Sequence, residues 1–116
     1  MLAHQPLTPV VFHVLLALAA GARHGYAIMK DVEGHTDGAL KIGAGTLYGT
    51  LQRLTEAGWV AESEPSIAAA SLRDERRRFY RLTPEGRKAL GAEVSRLEEL
   101  IQLARRSPGV PKSVRR

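Results

Sequence analysis

The sequence predicts a mainly α fold with one small β-hairpin, and three observations carry that expectation. Three short stretches with helical apolar spacing come first, each punctuated by glycine. Two runs with strand-like alternation follow, Trp59–Glu64 and Arg76–Leu82. A long amphipathic stretch comes last, introduced by Thr83-Pro84-Glu85. Helix, helix, helix, strand, strand, helix is the order of a winged helix-turn-helix domain with an added C-terminal helix. No βα alternation is present, so a doubly wound enzyme is not expected.

Each element has a local cause. Thr8-Pro9 places a capping hydroxyl before a proline at the first helical position, and Val11, Val14, Leu15 and Leu18 then form one apolar face. Gly21 ends this helix, and Arg23-His24-Gly25-Tyr26 opens the second, with Ile28, Met29 and Val32 at helical spacing. Leu40–Ile42 is at most a stub of strand. The third helix is expected over Thr46–Ala57, with Leu47, Leu51 and Leu54 inward and Gly58 as a left-handed cap. Residues 65–73 read as a loop with an alanine-rich middle. In the second strand Arg76, Arg78, Tyr80 and Leu82 share one side, and Arg77, Phe79 and Arg81 the other. The last helix should stop near Ser107, before Pro108 and Pro111. The expected division is a winged helix-turn-helix domain over 1–82, a separate last helix over 83–107 and a basic disordered tail over 108–116.

Composition excludes several classes. With 116 residues, 44% hydrophobic and 25% charged, the chain has the make-up of one globular domain. It contains no cysteine, which removes disulfides, thiolate zinc sites and a thiol nucleophile. That fits a reducing, cytoplasmic setting. No apolar run reaches membrane-spanning length, and no signal peptide is expected. The four histidines, at 4, 13, 24 and 35, form no metal motif. Gly43-x-Gly45 lacks the third glycine of a dinucleotide loop, because Tyr48 stands there. No serine, histidine and acid are joined in a catalytic motif, so no enzyme, cofactor or metal is expected.

The net charge of +5 points to an anionic partner, and its distribution sharpens the point. Residues 73–88 carry seven basic and three acidic groups, while residues 1–104 together sum to zero. The excess lies in Arg105, Arg106, Lys112, Arg115 and Arg116. That tail reads either as a solvated end or as an arm adding non-specific phosphate contacts.

On the third helix, Gly49, Gln52 and Arg53 lie opposite the leucine stripe, flanked by Thr46 and Tyr48. Such a face reads as a solvated side or as a surface for the major groove, where Arg pairs with guanine and Gln with adenine. Arg76, Arg77, Arg78 and Arg81 on the neighbouring hairpin favour the second reading.

His24-Gly25-Tyr26, Gly45-Thr46-Leu47-Tyr48, Leu51, Arg53-Leu54, Ala57-Gly58 and Arg77-Arg78-Phe79-Tyr80-Arg81-Leu82-Thr83 together resemble the PadR family of transcriptional regulators, in its branch with a small C-terminal helix. The resemblance spans roughly residues 7–104. It implies a winged helix-turn-helix that dimerises through its last helix and binds operator DNA, usually as a repressor. Carried onto this chain, it implies DNA contacts from Tyr26, Thr46, Tyr48, Gly49, Gln52, Arg53, Arg76, Arg77 and Arg78. Two departures stand out: Ala44 occupies a position where the family often has proline, and the loop 66–72 is nearly uncharged.

Leu90, Val94, Leu97, Ile101 and Ala104 form a seam at alternating four- and three-residue steps, widened by Leu100 and Leu103. This face packs either on its own domain or, as favoured, on a second copy. A dimer would present two recognition helices to a pseudo-palindromic operator. The partners expected are double-stranded DNA, a second copy and a small-molecule effector of unspecified identity. The last helix has no aromatic residue, and Trp59 reads as core, so no effector site follows. The alternatives are a winged-helix module that binds protein, and a non-specific nucleic-acid binder driven by the tail.

Overall fold

A computed structural model describes residues 5–63 and 78–112. Among the described residues, four helices pack around a three-stranded antiparallel sheet: α1 (Pro9–Ala19), β1 (Arg23–His24), α2 (Gly25–His35), α3 (Ala44–Glu56), β2 (Val60–Ser63), β3 (Phe79–Leu82) and α4 (Pro84–Arg105). The strand order is β1-β3-β2, with Arg23 opposite Tyr80 and Val60 opposite Leu82. This is the mainly α, winged helix-turn-helix architecture that the sequence predicts.

The capping signals act as expected. The Thr8 hydroxyl accepts from Val11 N–H at 3.2 Å, ahead of Pro9. The Thr83 hydroxyl accepts from Gly86 N–H at 3.0 Å, ahead of Pro84, with Glu85 in the first turn. Gly58 sits at φ +84°, where a β-carbon would be strained. Around it Trp59 N–H donates to the Leu54 carbonyl and Gly58 N–H to that of Thr55, each at 3.0 Å. These are the paired bonds of a Schellman end.

Val14, Leu15 and Leu18 of α1, Ile28 and Val32 of α2, and Leu47, Leu51 and Leu54 of α3 converge on one core with Val60, Tyr80, Leu82 and Leu90. Truncating one such leucine to alanine costs about 2–5 kcal/mol.

Several local readings change. The segment Arg23–His24 is a strand, added at the free edge of β3; two polar residues carry no periodicity that could announce it. Leu40–Ile42 is not a strand, because the loop is instead organised by Thr36, whose hydroxyl donates to the Val32 carbonyl at 2.9 Å and accepts from Leu40 N–H at 3.0 Å. Helix α3 begins at Ala44, two residues early, with Gly43 as its N-cap. Strand β2 starts at Val60, and Trp59 is half-buried against the core. Phe79 and Tyr80 are both buried, although alternation puts them on opposite faces, because the His24 ring covers Phe79 edge-on at 5.3 Å. Arg76, Arg77 and the loop 66–72 lie outside the described residues.

Candidate nucleic-acid interface

Helix α3 divides as its wheel requires. Leu47, Leu51 and Leu54 are buried, whereas Thr46, Tyr48, Gln52 and Arg53 are exposed and Gly49 is half-covered. Between Ala44 and Thr55 there is no acidic residue; Glu56 closes the last turn. The Arg53 guanidinium lies alongside Gly49, where a β-carbon would make only an ordinary contact with it at 3.7 Å. The same guanidinium donates to the hydroxyl of buried Thr50 at 3.4 Å, which aligns the arginine along the helix.

The start of α2 meets this face through a close contact. A β-carbon on Gly25 would collide with the Tyr48 hydroxyl and stand 2.7 Å from its Cζ. The Tyr48 ring is therefore seated on a glycine, yet stays 45% exposed, so it remains available to a second molecule. His24 prepares the seat. Its Nδ1 accepts from Ala27 N–H at 3.2 Å, capping α2, while its ring stacks near that of Tyr26 at 6.4 Å. Tyr26 is exposed, and Lys30 lies over it with the ammonium 5.8 Å from the ring centre. Lys30 was not marked by sequence reasoning; its signal is a four-residue step from Tyr26 on one helix face.

A groove of about 460 Å³ runs between α3 and strands β2 and β3. Tyr48, Gln52 and Thr55 line one side, and Glu62, Arg78 and Tyr80 the other. Arg78 is exposed and pairs with Glu62 at 3.6 Å. Burial raises the Tyr80 phenol above its ordinary range, so this hydroxyl stays protonated at the groove wall. The fold thus brings Tyr48, Gln52 and Arg78 to one groove, with Tyr26 adjoining through Gly25. Arg76 and Arg77 fall outside the described residues.

The last helix has a different character. Leu90 packs into the chain's own core. Beyond it Val94, Leu100, Ile101 and Leu103 are exposed, and Leu97 and Ala104 are half-covered. Glu93 is 2% exposed and ties α4 to the N-terminal segment. It receives two bonds from Arg96, at 2.9 and 2.7 Å, and one from Leu7 N–H at 3.3 Å. Sequence reasoning missed this carboxylate, because a buried acid looks like any other acid on a charged helix.

The profile of the transcriptional regulator PadR-like family matches residues 14–92. The chain belongs to the PadR-like family. The PadR-like reading is supported by a relative, Transcriptional regulator Rv3488 of Mycobacterium tuberculosis, 33% identical over 93 residues that cover 80% of this chain and 79% of the relative. A transcriptional regulator from Clostridium thermocellum superposes with a TM-score of 0.64 at 28% identity, covering 81% of this chain and 87% of its own. Bordetella bronchiseptica BpsR, whose DNA binding is regulated by 6-hydroxynicotinic acid, gives 0.64 at 28% identity, covering 84% of this chain and 60% of its own. This PadR-like chain is accordingly a DNA-binding transcriptional regulator and not an enzyme. No helix among its described residues is long and apolar enough to cross a membrane.

Proposed function

We propose that the chain is a cytoplasmic, sequence-specific repressor that binds a pseudo-palindromic operator as a homodimer. The observation that carries this reading is the outer face of α3. It is exposed, acid-free for three turns and built around one small residue, Gly49, between Tyr48 and the aligned Arg53. The major groove admits an α-helix, and Gln52 and Arg53 offer bidentate partners for adenine and guanine. Thr46 and the free N–H groups at the start of α3 suit a phosphate. Tyr26, Lys30 and Arg78 would add backbone contacts at the flanks, as would Arg76 and Arg77 on the wing.

Dimerisation is supported by the exposed apolar stretch Val94–Ala104. A single helix does not hold Leu100, Ile101 and Leu103 in water without a partner surface. In this arrangement residues 1–82 bind DNA, 83–107 pair the protomers and 108–116 form the basic tail. The two recognition helices would lie about 34 Å apart, one turn of DNA. Repression follows from occupying a promoter, and an effector would act by favouring one dimer geometry over another. Regulation of BpsR by a small aromatic acid makes such an effector a reasonable further partner.

Selection of bound sequences from random duplex DNA tests the reading. A palindrome with one half-site spacing is the expected result; a pool without a shared sequence would overturn it. Deleting residues 105–116 should leave specific binding in place, whereas binding driven by the tail would collapse.

A further inference from the structure

The C-terminal end of α3 and the N-terminal end of α4 are fastened to each other at one residue. The Thr83 hydroxyl donates to the Gly58 carbonyl at 2.6 Å while accepting from Gly86 N–H at 3.0 Å. The backbone N–H of Thr83 donates to the Trp59 carbonyl at 3.0 Å. Gly86, in the first turn of α4, lies so close beneath that same carbonyl that a β-carbon would collide with it. One side chain therefore caps the long helix and holds the turn that ends the recognition helix. Both hydrogen-bonding capacities of the hydroxyl are used, in opposite directions. Residues 58 and 83 are remote in sequence and are brought together by the pairing of β2 with β3, in which Val60 lies opposite Leu82.

We propose that Thr83 is a positioning residue that sets the angle between α3 and α4, and through it the half-site spacing the dimer accepts. This rests on the reading of α3 as the DNA-contacting helix and α4 as the pairing helix. If those roles hold, α3 cannot pivot against α4 without losing the Thr83 bond to Gly58. A change in how two α4 helices cross is then passed to both recognition helices as one rigid displacement. An effector bound far from α3 would act on DNA affinity by this route.

The donor and acceptor roles can be separated by substitution. Thr83→Asp retains a good helix cap but cannot donate to Gly58, and it sets a carboxylate against a carbonyl. Thr83→Ser retains both roles. Because the chain has no cysteine, Thr55→Cys with Gln102→Cys places one spin label on each helix of a protomer, and dilution with unlabelled protein isolates the intramolecular distance. A narrow distribution is expected for the parent protein and Thr83→Ser, and a broadened or split one for Thr83→Asp, with helix content unchanged by circular dichroism. Operator duplexes whose half-site spacing varies by single base pairs provide the functional readout. Parent and Thr83→Ser should prefer one spacing, and Thr83→Asp should lose that preference. A distribution equally narrow in Thr83→Asp, or already broad in the parent, would overturn the joint. A broadened distribution with an unchanged spacing preference would overturn its role in DNA binding. A parent protein that prefers no spacing, with the broadening intact, would refute the dimeric-operator reading and leave the joint standing.

Discussion

Gly25 and Tyr48 form one structural unit: the tyrosine ring of α3 rests on the glycine that begins α2. The two stretches His24-Gly25-Tyr26 and Gly45-Thr46-Leu47-Tyr48 look like separate sequence features, yet they meet across the helix-turn-helix. Glycine stands at the first position of α2 because no side chain fits beneath Tyr48.

Gly25→Ala tests that contact. Gly25 is the first residue of α2, where alanine gains little of its mid-helix advantage, so the displaced packing should lower the melting temperature modestly. Tyr48 must swing away, and operator affinity should fall several-fold in a mobility-shift titration. Unchanged affinity would mean that the seat is irrelevant to binding.

Arg53→Ala should remove about 1–3 kcal/mol of operator affinity and relax preference at a single base pair. Binding-site selection with the variant checks this; loss spread evenly over all sequences would instead mark Arg53 as a phosphate contact.

Glu62→Gln should strengthen DNA binding. Glu62 neutralises Arg78 at 3.6 Å on an exposed surface, where the pair contributes at most about 1 kcal/mol to folding. Freeing Arg78 adds one cation to the groove, so the salt dependence of binding should steepen by about one contact. Stability should be unchanged. An affinity equal to the parent's at low salt would show that Arg78 stays clear of the duplex.

Ile101→Asp should yield a monomer by light scattering at micromolar concentration. Ile101 is 49% exposed, so its own domain gains little from it, and a charge there harms only a surface that pairs. Operator affinity should fall with the dimer, while α4 stays helical.

Stability should decline as the medium is acidified. His13 Nδ1 is buried and has no hydrogen-bond partner among the described residues. Burial, with a smaller contribution from the charge of His35, holds its pKa below the ordinary histidine value. The unfolded chain therefore takes up a proton at higher pH than the folded one. The contribution is complete above the ordinary value of about 6.5 and is lost as pH falls from there through the lowered folded pKa. Melting temperatures of the parent and His13→Leu, compared at pH 7.5 and 5, should diverge, with the parent losing more.

The legible part of the fold was the part with local causes. Thr8-Pro9, Thr83-Pro84 and Gly58 act within one helical turn, so their sequence neighbourhood suffices to place α1, α4 and the end of α3. The leucine stripe of α3 assigned its buried face for the same reason, and with it the exposed positions of Thr46, Tyr48, Gln52 and Arg53. Strand β1 was illegible because it exists only as the partner of β3. The burial of Phe79 has no local signal, because its cover, His24, comes from 55 residues away.

Periodicity and short-range hydrogen bonding therefore settle the order of the four helices and of strands β2 and β3, and the polarity of each helix face. Which of those features meet is a matter of long-range packing. Tyr48 on Gly25, Glu93 reaching the N-terminal segment, Leu90 turned inward and Thr83 joined to Gly58 each pair residues far apart along the chain. Such contacts depend on how the apolar faces pack around one shared core, and packing is settled by the whole set of side chains at once.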